Sequence, residues 1–135
     1  QASELYEYGS VQIKKRLYDE ATKTFLKAVE FYDNEPAEAK AIIENALGFS
    51  YAAKNEFKKA IKHYNLAIKS LPAYPVALNN LASAQQRLLE YDLAYETYKQ
   101  VLLIDPSNKT ALKKSKELEK RIDYNPYKGI KDKGF

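Results

Sequence analysis

The chain of 135 residues has no cysteine, no methionine and no tryptophan, one histidine and four glycines. Each scarcity excludes something. Without cysteine there is no disulfide, no thiol nucleophile and no zinc–thiolate site, and the compartment is left open beyond being compatible with a reducing one. One histidine, His63, cannot by itself build the commonest metal sites or a nucleophile–base triad. Its place three residues after Ala60 predicts an ordinary surface position on a helix. There is no Gly-rich phosphate loop and no G-x-S-x-G element. No apolar run approaches the ~18 residues needed to cross a bilayer. Nowhere do apolar and polar residues alternate long enough to suggest a strand. A chain that starts at Gln1 and holds no methionine is expected to be a trimmed product, with a signal or membrane anchor removed from its amino end. Carboxylates are plentiful, but in a helical chain they belong to the solvated face. The expectation is a non-enzyme with no catalytic residue, no metal and no cofactor.

What is present is a repeated phrase. Tyr18–Ala21, Phe57–Ala60 and Tyr91–Ala94 are one aromatic-x-x-Ala element, followed by Phe25, Tyr64 and Tyr98, then by Ala28, Ala67 and Val101. The signature alanines lie 39 and 34 residues apart. Aligned on them, Tyr8, Leu47 and Leu81 fall together, as do Gly9, Gly48 and Ala82, and Gln12, Tyr51 and Gln85. The column Asp33, Pro72 and Pro106 closes each unit, because proline cannot donate the next helical hydrogen bond. A period near 34 with this content is that of stacked helical hairpins. The small residues let helix A approach helix B, and the aromatics fill the space between neighbouring hairpins.

At most of these positions the chain resembles the tetratricopeptide repeat family, over roughly Leu5 to Ile122. The fold expected is all-α: a right-handed superhelical solenoid of three repeats, at about 2–35, 41–74 and 75–108, with a capping helix at 109–122. Residues 123–135, with Asn125-Pro126, Gly129 and Gly134, are expected to form an irregular tail. Helices are expected at 3–15, 18–32, 37–53, 56–70, 75–88, 91–104 and 109–122. Repeat 1 departs from the pattern. It lacks the closing proline and carries five extra residues, Asn34–Glu38, in which Pro36 starts the next helix and lengthens it. The seventh helix would bury Leu112, Leu118 and Ile122 and keep a charged face in water, as a cap requires. Asn108-Lys109-Thr110 fits a glycosylation acceptor but reads better as a helix start, with Ser107 or Asn108 as N-cap.

The net charge of +4 is unevenly placed. Residues 109–135 hold nine Lys/Arg against four Asp/Glu, and the rest hold thirteen against fourteen. The basic surface of Lys113, Lys114, Lys116, Lys120 and Arg121 suits a solvated cap, an acidic partner or an anionic membrane. No nucleic-acid module accompanies it, so nucleic-acid binding is not expected.

Function is then expected in a groove lined by the A helices. Its positions are Ser3, Tyr6, Ser10 and Ile13; Ile42, Asn45, Phe49 and Ala52; Val76, Asn79, Ser83 and Gln86, with Arg87 at the rim; and Thr110, Lys113 and Glu117. Asn45 and Asn79 are equivalent. Their amides either grip the backbone of an extended segment or bond within the array. Chaperone-binding members of the family clamp a terminal carboxylate with five Lys, Asn and Arg side chains. The matching places here hold Tyr6, Ser10, Ala46, Val76 and Asn80, which offer no cation, so that partner is not expected.

Asn45–Tyr51, Tyr74–Leu81 and Tyr98–Ala111 are similar to the hypothetical chloroplast reading frame thirty-seven family of cyanobacteria and algal plastids. That resemblance implies a thylakoid protein on the stromal or cytoplasmic face, anchored by an N-terminal membrane segment. It also implies a role in photosystem I assembly, with photosystem I subunits or assembly factors as partners. The alternative is a general adaptor unrelated to photosynthesis, for example in secretion or pilus assembly. Self-association through the first hairpin is a third option.

Overall fold

A computed structural model of the chain describes residues 1–123. It consists of seven helices: α1 Ala2–Lys14, α2 Tyr18–Glu30, α3 Ala37–Ala53, α4 Phe57–Ser70, α5 Pro75–Arg87, α6 Tyr91–Ile104 and α7 Lys109–Asp123. There is no strand among the described residues. The tail expected after Ile122 lies, from residue 124 on, outside them. Each helix packs on the next, and α1, α3 and α5 also touch in turn, so the A helices share one face. α3 has 17 residues against 13 for α1 and α5, as the insertion predicts. Pro36 is its N-cap, one place before the expected start.

The turn inside each hairpin is built alike. Arg16, Asn55 and Leu89 have φ of 61°, 63° and 63°, the left-handed region. Leu17 N–H donates to Gln12 O, Glu56 N–H to Tyr51 O and Glu90 N–H to Gln85 O, at 2.9–3.0 Å. This six-to-one bond closes a Schellman end and satisfies a carbonyl that the helix leaves open. Between hairpins, Leu71 and Asp105 are extended, with ψ of 87° at both, as residues before Pro72 and Pro106 must be. α7 begins at Lys109, directly after Asn108, whose Oδ1 accepts from Ala111 N–H at 3.0 Å.

The aromatic knobs Phe25, Tyr64 and Tyr98 are fully buried. Phe25 packs with Leu47 of α3, Tyr64 with Leu81 of α5, and Tyr98 with Ala111 and Leu118 of α7. Burial pushes the Tyr98 hydroxyl up to about 12, with Glu117 adding to the effect, and pushes that of Tyr64 higher still. The close approach expected at the small column is real. A Cβ on Gly9 would stand 2.5 Å from the Phe25 ring, and one on Gly48 would stand 2.7 Å from that of Tyr64.

Two expectations are corrected. On α7, Leu112 is exposed, and the buried stripe is Ala111, Ser115 and Leu118, with Ile122 packed beside it. His63 is not a surface residue, since its side chain is only 14% exposed. The reason is its column. In repeats 1 and 3 that column holds Thr24 and Thr97, whose hydroxyls donate to Gln12 Oε1 at 2.6 Å and Gln85 Oε1 at 2.8 Å across the A–B interface. Repeat 2 replaces the pair with His63 stacked on Tyr51, rings 5.4 Å apart. His63 Nδ1 also lies 3.1 Å from Glu44 Oε1. The Glu44 side chain is 3% exposed, and its Oε2 accepts from the Tyr32 hydroxyl at 3.3 Å. That hydroxyl is pushed up to about 12 by burial and by Glu44.

Candidate protein-binding groove

The face shared by α1, α3 and α5 carries three kinds of surface. At the amino end, Tyr6 and Ile42 line a hollow of about 180 Å³ with Ala2, Ser3, Glu35, Ala39 and Ile43. The Tyr6 ring is held 6.1 Å from that of Phe25, and Ser10 Oγ donates to Tyr6 O at 2.8 Å. Ile42 is exposed although apolar.

The centre is more varied. Phe49 and Val76 are 44% and 55% exposed. Phe49 borders a cavity of about 200 Å³ with Phe57, Asn80, Ser83 and Arg87. The asparagines are engaged with the array. Asn80 Nδ2 donates to Asn45 Oδ1 at 3.0 Å, and Asn79 Nδ2 donates to Asn108 Oδ1 at 3.2 Å. The Tyr74 hydroxyl is pushed up by burial and by the neighbouring Tyr6, which Asn45 offsets only in part. Asn79 Oδ1 is buried with no partner among the described residues. Asn45 and Asn79 are thus joints between successive A helices. Their partners lie 35 and 29 residues away in sequence, too far for local reasoning to pair them.

At the carboxyl end Ser83, Gln86, Arg87, Tyr91, Lys114 and Arg121 line a cavity of about 270 Å³. Lys113, Lys116 and Lys120 are exposed but do not line it. The basic surface expected of α7 is therefore split between the groove and the outside. Sequence reasoning placed Lys114 and Arg121 on the cap but not in the groove. The missed signal was their spacing of seven, which puts them on one helix face. Among the described residues no three His, Cys, Asp or Glu side chains converge on a possible metal site. No described helix is long and apolar enough to cross a membrane.

Residues 5–35 and 75–108 match the family described as Tetratricopeptide repeat. The chain belongs to the tetratricopeptide repeat family. As a fold this is a protein-interaction scaffold, not an enzyme family. Along its length the repeat chain is 35% identical over 129 residues to the tetratricopeptide repeat domain-containing protein PYG7, chloroplastic, of Arabidopsis thaliana, covering 96% of this chain and 42% of that one. It is 34% identical over 114 residues to the uncharacterized protein ycf37 of Cyanophora paradoxa, covering 84% and 66%. It is 29% identical over 105 residues to the photosystem I assembly protein Ycf3 of Rippkaea orientalis, covering 67% and 60%. The chain thus spans less than half of the Arabidopsis relative and about two thirds of the Cyanophora one. Among solved structures it is like the first repeat domain of Spaghetti (RPAP3) bound to an HSP90 peptide, with a TM-score of 0.82 at 23% identity over 92% of this chain and 97% of that one. At that identity the likeness shows the fold alone.

Proposed function

We propose that this chain is a non-enzymatic assembly factor for photosystem I. It holds a subunit or a second assembly factor on the face of α1, α3 and α5, at the stromal or cytoplasmic side of the thylakoid. The observation that carries this reading is the similarity to the chloroplastic PYG7 and to ycf37 over 96% and 84% of the chain. The likeness to a protein named for photosystem I assembly points the same way. The groove supplies the means. Ile42, Phe49 and Val76, the positions expected to face the groove, remain exposed, and exposed apolar side chains in a concavity are where a partner segment gains contact area. Because Asn45 and Asn79 already bond within the array, the grip falls to these apolar side chains. The chaperone-type clamp remains outside the proposal. Tyr6, Ser10, Ala46, Val76 and Asn80 are uncharged, and a carboxylate needs cationic donors to replace its hydration.

The test is affinity capture from solubilised photosynthetic membranes, read by mass spectrometry, with the wild type beside Ile42→Ser/Phe49→Ser of unchanged helicity. Photosystem I subunits or assembly factors enriched by the wild type and lost with the variant support the reading. Equal capture by both moves the site off this face. Capture with no photosystem component sinks the assignment in favour of a general adaptor.

A further inference from the structure

The carboxyl end of the groove carries a repeated side-chain device. The Arg87 guanidinium lies over the Phe57 ring, 4.6 Å from its centroid, and that of Arg121 lies over the Tyr91 ring at 4.3 Å. Both pairs are the same repeat unit. Arg87 and Arg121 are 34 residues apart, as are Phe57 and Tyr91. The junction of the first and second hairpins lacks the device, since Ala53 of α3 holds the arginine's place beside Tyr18. The two arginines enter one cavity with Lys114, Ser83 and Gln86.

Three cations in one concavity repel one another unless an anion joins them. Among the described residues the only carboxylate within salt-bridge distance of any of the three is Glu117, 3.7 Å from Lys114 Nζ, with both side chains 40–50% exposed. Such a loose exposed pair is worth little and yields readily to a better partner. The stacks matter for the opposite reason. A guanidinium laid on a ring keeps its N–H edge free while losing rotamer freedom in advance, so less is lost when a ligand arrives. Planar guanidinium edges match carboxylates in bidentate geometry. The Ser83 hydroxyl and Gln86 amide add neutral hydrogen-bonding groups on the same wall.

We propose that the cavity between α5 and α7 is a carboxylate pocket. Arg87 and Arg121, held by Phe57 and Tyr91 and joined by Lys114, bind acidic side chains of a partner segment whose apolar part lies farther along the groove, toward Phe49 and Ile42. This rests on the reading of the α1, α3 and α5 face as the partner site and adds the chemistry of the partner. The bound segment carries Asp or Glu at one end and apolar residues at the other. It lies with its acidic end toward α7.

The test uses fluorescence anisotropy with an end-blocked, labelled peptide Ala-Leu-Ala-Leu-Gly-Glu-Asp-Glu-Gly and its Gln-Asn-Gln counterpart. The wild type is expected to prefer the acidic peptide, and Arg87→Gln/Arg121→Gln to lose about tenfold or more of that affinity, the order expected for one charge-assisted bidentate contact. Lys116→Gln/Lys120→Gln removes the same charge outside the cavity and is expected to lose less than about threefold. Arg87→Lys/Arg121→Lys keeps the charge without the fork and is expected to fall between the two. Equal losses in the two Gln variants would reduce the effect to net charge and overturn the pocket, as would equal binding of the two peptides. Binding to vesicles with about one third anionic lipid that depends on Arg87 and Arg121, with no peptide preference, would overturn it in favour of a lipid headgroup. Failure here with capture still lost in Ile42→Ser/Phe49→Ser removes the pocket and leaves the proposed function standing. Loss of photosystem components from the wild-type capture removes the latter.

Discussion

Glu44 occupies the column that holds Leu5 in repeat 1 and Leu78 in repeat 3. A carboxylate in a core column is costly unless its oxygens are bonded. Tyr32 and His63 bond it here. Glu44 and His63 both replace what the other hairpins carry, so the exchange is concerted within repeat 2. Glu44→Ala removes two contacts and leaves a void, and should lower unfolding free energy by about 2–4 kcal/mol. Glu44→Leu restores the column's apolar residue. The half-buried Tyr32 then turns to water while His63 keeps its stack on Tyr51, and the loss should stay within about 1 kcal/mol. Urea unfolding of the two variants checks this. Equal losses would mean that the acid group itself, not the filled space, holds the hairpin. The network was not legible in the sequence, because a lone histidine and a mid-helix glutamate are ordinary surface residues until a third chain segment, here Tyr32, closes over them.

At the scale of the element, the hairpin turn is the recurrent unit. The left-handed place crowds any Cβ against the following carbonyl, a cost that asparagine offsets by bonding its short polar side chain to the local backbone and that arginine and leucine do not. Asn55 suits its turn, whereas Leu89 is held there by the closing bond of Glu90 N–H to Gln85 O. Leu89 is 70% exposed, so little packing is lost on replacing it. Leu89→Asn should therefore raise stability by about 0.5–1 kcal/mol, seen as a higher midpoint in thermal unfolding. A lower midpoint would show that the leucine makes a contact that outweighs its backbone strain. The helices themselves were legible. α3 and α6 begin and end where periodicity and punctuation place them, α1 is shifted by one residue at both ends, and the others differ by one or two residues at one end. Pro72 and Pro106 act as local stops, and a local rule can be read locally.

For the molecule as a whole, the core is a row of aromatic knobs, and three of its tyrosines are kept neutral by the fold. Tyr98 and Tyr32 are pushed up to about 12, and Tyr64 beyond that. In the unfolded chain the same hydroxyls ionise near pH 10. A group whose folded pKa is raised contributes stability that is whole below the unfolded value and is lost as pH rises toward the folded one. Stability should therefore hold to about pH 9.5 and then fall between about pH 10 and 12, by roughly 1.4 kcal/mol per pH unit for each tyrosine kept neutral. Urea midpoints at rising pH measure the slope. Tyr98→Phe should flatten it by about one tyrosine's share. An unchanged slope would mean that Tyr98 ionises freely in the folded state.

Periodicity alone determined the repeat, the order of the helices, the knobs Phe25, Tyr64 and Tyr98, and the apolar side chains Tyr6, Ile42, Phe49 and Val76 that the A helices present. These follow from spacing within one hairpin, where neighbours in space are also near in sequence. Only the tertiary structure decided that Asn45 and Asn79 tie one A helix to the next, and that His63 lies inside. It also decided that Arg87, Lys114 and Arg121 meet in one cavity while Lys113, Lys116 and Lys120 do not. Those facts depend on how one hairpin is rotated and set against its neighbour. That rotation is fixed by packing at the interface between repeats, to which a residue's place within its own repeat gives no access.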